Sequence, residues 1–128
     1  MEPQAMIVAG FGFSTRAGDD SLRDALRKAC KAAGIAAPHA LATAQDKAPA
    51  LARFAHTLGL PVHPIPQEAL SAQITHTQSA RVVAERATGS VAEAAALAAA
   101  GPGARLLIPR MHAQDRLASC ALAEGAPS

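Results

Sequence analysis

The residues best equipped for chemistry sit where apolar runs give way to polar ones. In Gly10-Phe11-Gly12-Phe13-Ser14-Thr15-Arg16 a hydrophobic segment ends on two glycines and passes into two hydroxyls and a guanidinium. Glycines let a backbone come close to a ligand. Free amides near a helix start, together with Ser14 and Arg16, favour an anion. The stretch falls short of a dinucleotide fingerprint, because Thr15 stands where the third glycine belongs. No acid closes the second strand either, unless Asp46 acts from the loop that follows. A tight turn with Ser14 and Arg16 in solvent accounts for the same residues.

Lys47 falls at a helix start, where a cation opposes the helix dipole. A ligand carboxylate beside it would explain that placement, as would simple exposure. Arg110, just after the apolar core Leu106–Ile108, could close the same pocket. Ser90-Val91-Ala92-Glu93 fits a capping box, in which Ser accepts from the third helical amide and Glu reaches back to the Ser amide. Capping alone explains Glu93; the other reading is an acid or base that faces a ligand.

Other chemistries are excluded by what the sequence lacks. His39, His56, His63, His76 and His112 show no i,i+4 pair and no Cys/His cluster, so no metal is expected. Cys30 and Cys120 lie far apart and read as buried free thiols, which suits a reducing cytoplasm. Ser14, Ser79 and Ser90 occupy no G-x-S-x-G elbow, so no Ser-His-Asp hydrolase is visible. A net charge of +2 and 17% charged residues, without basic runs, exclude nucleic acid as partner. Val91–Gly101 is the longest apolar stretch, shorter than the ~20 residues a bilayer span requires. No secretory signal is visible, so a cytoplasmic protein is expected.

The elements that must hold these residues follow from periodicity. A single domain is expected over all 128 residues. Ala5–Phe11 reads as a buried strand, and Leu22, Ala25, Leu26, Ala29 and Ala33 recur at helical spacing up to Gly34. His39–Thr43 reads as the second strand, Lys47–Leu58 as a helix with Pro49 in its first turn, and Pro61–Ile65 as a proline-bracketed edge strand. Gln67–Gln73 has room for a helical turn or two, Ile74–Ala80 reads as a loop, and Arg81–Thr88 as helical. A helix from Ser90 to Ala100 precedes the strands around Leu106–Ile108 and Leu117–Ala123. The gap between these last strands holds no crossover helix, so the last strand should run antiparallel to its neighbour. The expected fold is therefore a three-layer α/β/α sandwich with a mixed, mostly parallel five-stranded sheet. Ligands collect at the carboxyl ends of such strands, which points to Gly10–Gly18, Thr43–Lys47, Ile74–Ser79 and Pro109–His112.

Three segments together resemble one family. They are Val8-Ala9-Gly10-Phe11-Gly12, Leu41-Ala42-Thr43-Ala44-Gln45-Asp46-Lys47, and Gly89-Ser90-Val91-Ala92-Glu93-Ala94-Ala95-Ala96-Leu97. Their order and spacing resemble the cobalamin-biosynthesis family of CobE and the C-terminal domain of CbiG, over nearly the whole chain. The resemblance implies an α/β/α sandwich and a place in corrin-ring construction. CbiG proteins open the δ-lactone of a cobalt-precorrin and release acetaldehyde. The chain opens on its first strand, which is closer to stand-alone CobE.

By position, the family pocket would use Gly10 and Gly12 for close backbone approach and Thr43 and Lys47 for polar contacts, with Ser79, Ser90 and Glu93 opposite. Phe13-Ser14-Thr15 departs from the Cys or Arg more common after the second glycine, and Arg110 stands where Lys is common. A precorrin, flat and fringed with carboxylates, would want an apolar shelf such as Phe13 and a rim of Arg16, Lys47 and Arg110. The expected function is that of a carrier of, or accessory to, such an intermediate at the ring-contraction stage, with no cofactor and with other pathway enzymes as candidate partners. The alternative is lactone hydrolysis with Glu93 and Lys47 as catalytic residues. A nucleotide-binding regulator is a third reading, resting on the glycine loop alone.

Overall fold

Alternation along the first strand decides how the layers form. In β1 (Ile7–Phe13), Ala9, Phe11 and Phe13 pack with Leu22, Ala25 and Leu26 of α1 (Asp19–Ala33) and with Leu51 and Phe54 of α2 (Ala48–Leu58). The Phe11 and Phe54 rings meet edge to face, 6.1 Å between centroids. The intervening residues serve the other face, because successive side chains of a strand point to opposite sides. Val8 clusters there with Leu70 of α3 (Gln67–Thr77) and with Ala94 and Ala95 of α4 (Thr88–Ala100). The computed structural model describes residues 6–77 and 88–125.

The remaining strands are β2 (Ala40–Ala44), β3 (Val62–Ile65), β4 (Arg105–His112) and β5 (Ala118–Glu124). They form one five-stranded sheet in the order β3-β2-β1-β5-β4. β1, β2 and β3 are parallel, and β5 is antiparallel to both β1 and β4. The expected fold class holds, as does the edge position of the proline-containing third strand. Unexpected is the insertion of the last strand between the first and the fourth. β5 is buried along almost its whole length, whereas β4 forms the half-buried edge.

Alanine and glycine allow the close packing of α4. A Cβ added at Gly10 would collide with the Ala92 carbonyl oxygen and lie 2.6 Å from the Ala96 amide nitrogen. Gly10 is thus the point where the helix backbone crosses β1, and no larger residue fits.

The β4–β5 hairpin is tied to α1 along one polar edge. Ser21 donates its hydroxyl hydrogen to Asp115, the Gln114 amide donates to Asp24 at 2.7 Å, and Lys28 donates to the His112 carbonyl at 3.1 Å. Arg116 takes a left-handed conformation (φ 63°) to close the turn, and the Leu117 amide donates to Asp115 at 2.9 Å.

Local expectations are corrected in two places. α3 continues to Thr77, where a loop from Ile74 was expected, because it packs against α4 and tertiary contact outweighs polar composition. Residues 88–90 are already helical in α4, so Ser90 lies inside the helix and is not its cap. Residues 78–87, which include most of the expected helix Arg81–Thr88, lie outside the described residues.

Candidate functional site

β1 ends in an apolar ring and β2 ends in a short turn that brings back a cation. After β2, Gln45–Lys47 forms a 3-10 turn that runs directly into α2. Lys47 is half-buried, and its Nζ donates to the Phe13 carbonyl at 3.0 Å. The same ammonium stands 5.2 Å from the centre of the Phe13 ring, within cation–π range. The Phe13 carbonyl and ring face together explain a cation at a helix start. One ammonium hydrogen is used in this way, and an ammonium carries three.

Two cavities meet at this lysine. One, of about 440 Å³, opens toward α3 and α4 between Gly12, Thr43, Leu70 and Val91. The other, of about 450 Å³, opens toward α1 and α2 between Gly18, Leu22, Ala50 and Arg53. Phe13, Ser14, Asp46 and Lys47 line both and form the divide between them. Each volume is of the size that holds a small organic group.

The other expected site residues are dispersed. Thr43 lines the first cavity but is wholly buried, and its hydroxyl donates to the Phe11 carbonyl at 2.8 Å. Ser14 accepts from the Arg16 amide at 3.0 Å, forming a tight turn, and Arg16 is exposed outside both linings. Gly12 lines the first cavity, whereas the close approach at Gly10 is made by α4. Glu93 accepts from the Arg110 amide at 3.1 Å. Strand register breaks between Ile108 and Met111, and the carboxylate meets an amide inside that break. β5 lies between β1, which carries the Lys47 contact, and β4, which carries Arg110. Lys47 therefore shares a cavity divide with Phe13 and Ser14, while Glu93 of α4 is engaged by the Arg110 amide of the edge strand. Arg110 also helps, after burial, to hold His112 below the ordinary imidazole range. Ser79 and the Ser90 side chain lie outside the described residues.

Gln67 is a neighbour of the site that sequence reasoning passed over, and Asp46 was weighed there only as the acid of a dinucleotide fingerprint. Asp46 lines both cavities, and Gln67 lines the first. The signal for Gln67 was available: it follows β3 directly, and the carboxyl end of that strand belongs to the same edge. Among the described residues, no group of three or more His, Cys, Asp or Glu could hold a metal, and no helix is long and apolar enough to cross a membrane. Cys30 and Cys120 are buried free thiols, and burial pushes both above the ordinary thiol range.

Residues 7–123 match the family model described as cobalamin synthesis G C-terminus. The chain belongs to this family. Membership places it among the proteins of cobalamin biosynthesis. It is similar to CobE, a protein from the cobalamin (vitamin B12) biosynthetic pathway, at 33% identity over 100% of this chain and 96% of that one, with a TM-score of 0.82. It is also similar to the cobalamin biosynthesis protein chiG from Agrobacterium tumefaciens, at 37% identity over 94% and 98% of the two chains, TM-score 0.74. A cobalamin biosynthesis protein G homolog from Sulfolobus solfataricus shares the fold, with 18% identity over 94% of this chain and 36% of that one, TM-score 0.69. No protein among the curated sequences matches.

Proposed function

We propose that the protein binds a corrin-ring precursor at the carboxyl edge of β1 and β2, as a carrier of or accessory to ring-contraction-stage chemistry. The Lys47 ammonium carries this reading, because it is held over the Phe13 ring at the divide between two cavities. A macrocycle fringed with carboxylates offers an anion for Lys47, while Phe13, expected as an apolar shelf, is buried in the core and backs the ammonium instead. The two cavities would take peripheral groups on either side of the strand end. Asp46, on the same divide, would disfavour a second carboxylate there and so orient the ring.

Carriage is favoured over lactone hydrolysis by the engagement of Glu93. A general base must reach the water it activates, and this carboxylate is turned to the Arg110 amide of the edge strand. The test is anaerobic incubation with early pathway intermediates, following retained pigment and released acetaldehyde. Pigment retained one-to-one without acetaldehyde supports the carrier. Catalytic acetaldehyde release, abolished by Lys47→Ala or Glu93→Gln, would replace it with a lactone-opening enzyme. Retention of no intermediate would overturn the corrin reading.

A further inference from the structure

At the opposite pole of the sheet, α1 and α2 both end on a left-handed glycine, Gly34 (φ 73°) and Gly59 (φ 70°). In each case the amide of the next residue reaches back to the helix, Ile35 to the Cys30 carbonyl at 3.0 Å and Leu60 to the Ala55 carbonyl at 3.1 Å. Such caps fold the apolar residue after the glycine onto the helix end. Here Ile35 and Leu60 become walls of one cavity of about 420 Å³, with Leu26 and Leu58 also in its lining. Leu58 is 38% exposed, one of two large apolar side chains left in solvent among the described residues.

The charged lining of this cavity has one sign. Arg23, Arg27 and Lys31 line it, and no Asp or Glu does. Arg23 and Arg27 are steadied by Asp20 and Asp24 one helical turn earlier. Lys31 makes no ion pair among the described residues. An apolar floor rimmed by cations complements a molecule with a hydrocarbon body and an acidic head. We infer that the cavity between the C-terminal ends of α1 and α2 is a second binding site, for a small amphiphilic carboxylate, with its chain against Leu26, Ile35, Leu58 and Leu60 and its head at Lys31 and Arg27. This site lies at the amino ends of the strands, so it stands or falls independently of the Lys47 edge.

Decanoate is a suitable probe. Titration of the uniformly ¹⁵N-labelled full chain, below the micelle concentration, should give saturable amide shifts at Ile35, Leu58 and Leu60. The double variant R27E/K31E should bind at least about tenfold more weakly, and Lys47→Ala should bind as the wild type does. Both reversed positions are exposed, so a native amide spectrum is expected for the variant. Decanol in place of decanoate should bind more weakly to the wild type and equally to both proteins. Absence of saturable shifts, shifts that centre on Phe13 and Lys47, or equal decanoate affinity in R27E/K31E would each overturn the inference.

Discussion

Lys47 donates to the carbonyl of Phe13 at 3.0 Å and lies 5.2 Å from the centre of that residue's own ring. One side chain thereby caps the end of β1, fixes the 3-10 turn to the strand and holds positive charge where two cavities meet. The arrangement is local in space but joins β1 to the turn that follows β2, and the proposed ligand would complete it.

Removing the ammonium should weaken ligand binding more than it weakens the fold. Lys47→Ala is expected to raise the Kd for a carboxylate-bearing corrin precursor by about tenfold to a hundredfold at low salt, the range of one charge-assisted hydrogen bond. Lys47→Arg should recover part of this, because the charge stays while the ring contact changes. Thermal unfolding of both variants should remain within about 1 kcal/mol of wild type, since the group is only half-buried. Unchanged affinity in Lys47→Ala would remove the basis of the binding model.

Gly10→Ala should be strongly destabilising. The added methyl meets the Ala92 carbonyl and the Ala96 amide, both backbone atoms of α4 that cannot rotate away. A loss of about 3 kcal/mol is expected, at the upper end of overpacking costs. Urea unfolding measures it. A stable Gly10→Ala protein would mean that α4 can ride higher on β1.

Glu93 distinguishes a structural acid from a chemical one. Glu93→Gln retains an oxygen that accepts from the Arg110 amide, so stability should fall by less than about 1 kcal/mol. Glu93→Ala removes the acceptor and should cost about 1–2 kcal/mol, with faster hydrogen exchange at the Arg110 amide. Pigment retention by Glu93→Gln should equal that of the wild type. If retention or turnover collapses in Glu93→Gln while stability holds, the carboxylate acts on the ligand.

Acid should loosen the β4–β5 hairpin first. The Gln114 amide holds the Asp24 carboxyl below its ordinary value of 3.8, against the opposing effect of burial and with lesser help from Arg27 and Lys28. The Ser21 hydroxyl and the Leu117 amide do the same for Asp115. Both folded values lie below the unfolded ones, so their contribution is fully present above the unfolded value. It fades as pH falls below 3.8 and through the lower folded values. The double variant D24N/D115N should therefore lose less stability than wild type between about pH 4 and pH 2. Parallel acid-unfolding curves for the two proteins would contradict this.

Much of the fold was legible because it is written in local periodicity. Helical spacing from Leu22 to Ala33 and the glycine stops at Gly34 and Gly59 produce α1 and α2 within a residue or so of expectation. Lys47 was singled out as a cation in an unfavourable place, and the structure supplies its partner in the Phe13 carbonyl and ring. The helix spacing and the odd placement of Lys47 are readable locally, whereas its partner Phe13 lies 34 residues away in the chain.

What the chain could not declare was set by strand order. β5 enters between β1 and β4, so Glu93 and Arg110 meet across an edge bulge and do not join Lys47. The sequence alone determined most of the element types, the apolar faces of α1 and α2 and the cation at the β2–α2 turn, because these depend on side-chain period and on a few capping residues. Only the tertiary structure decided which strand ends share a cavity and that Gly10 serves α4. Those outcomes depend on pairing between residues far apart in the chain, for which no local pattern carries a signal.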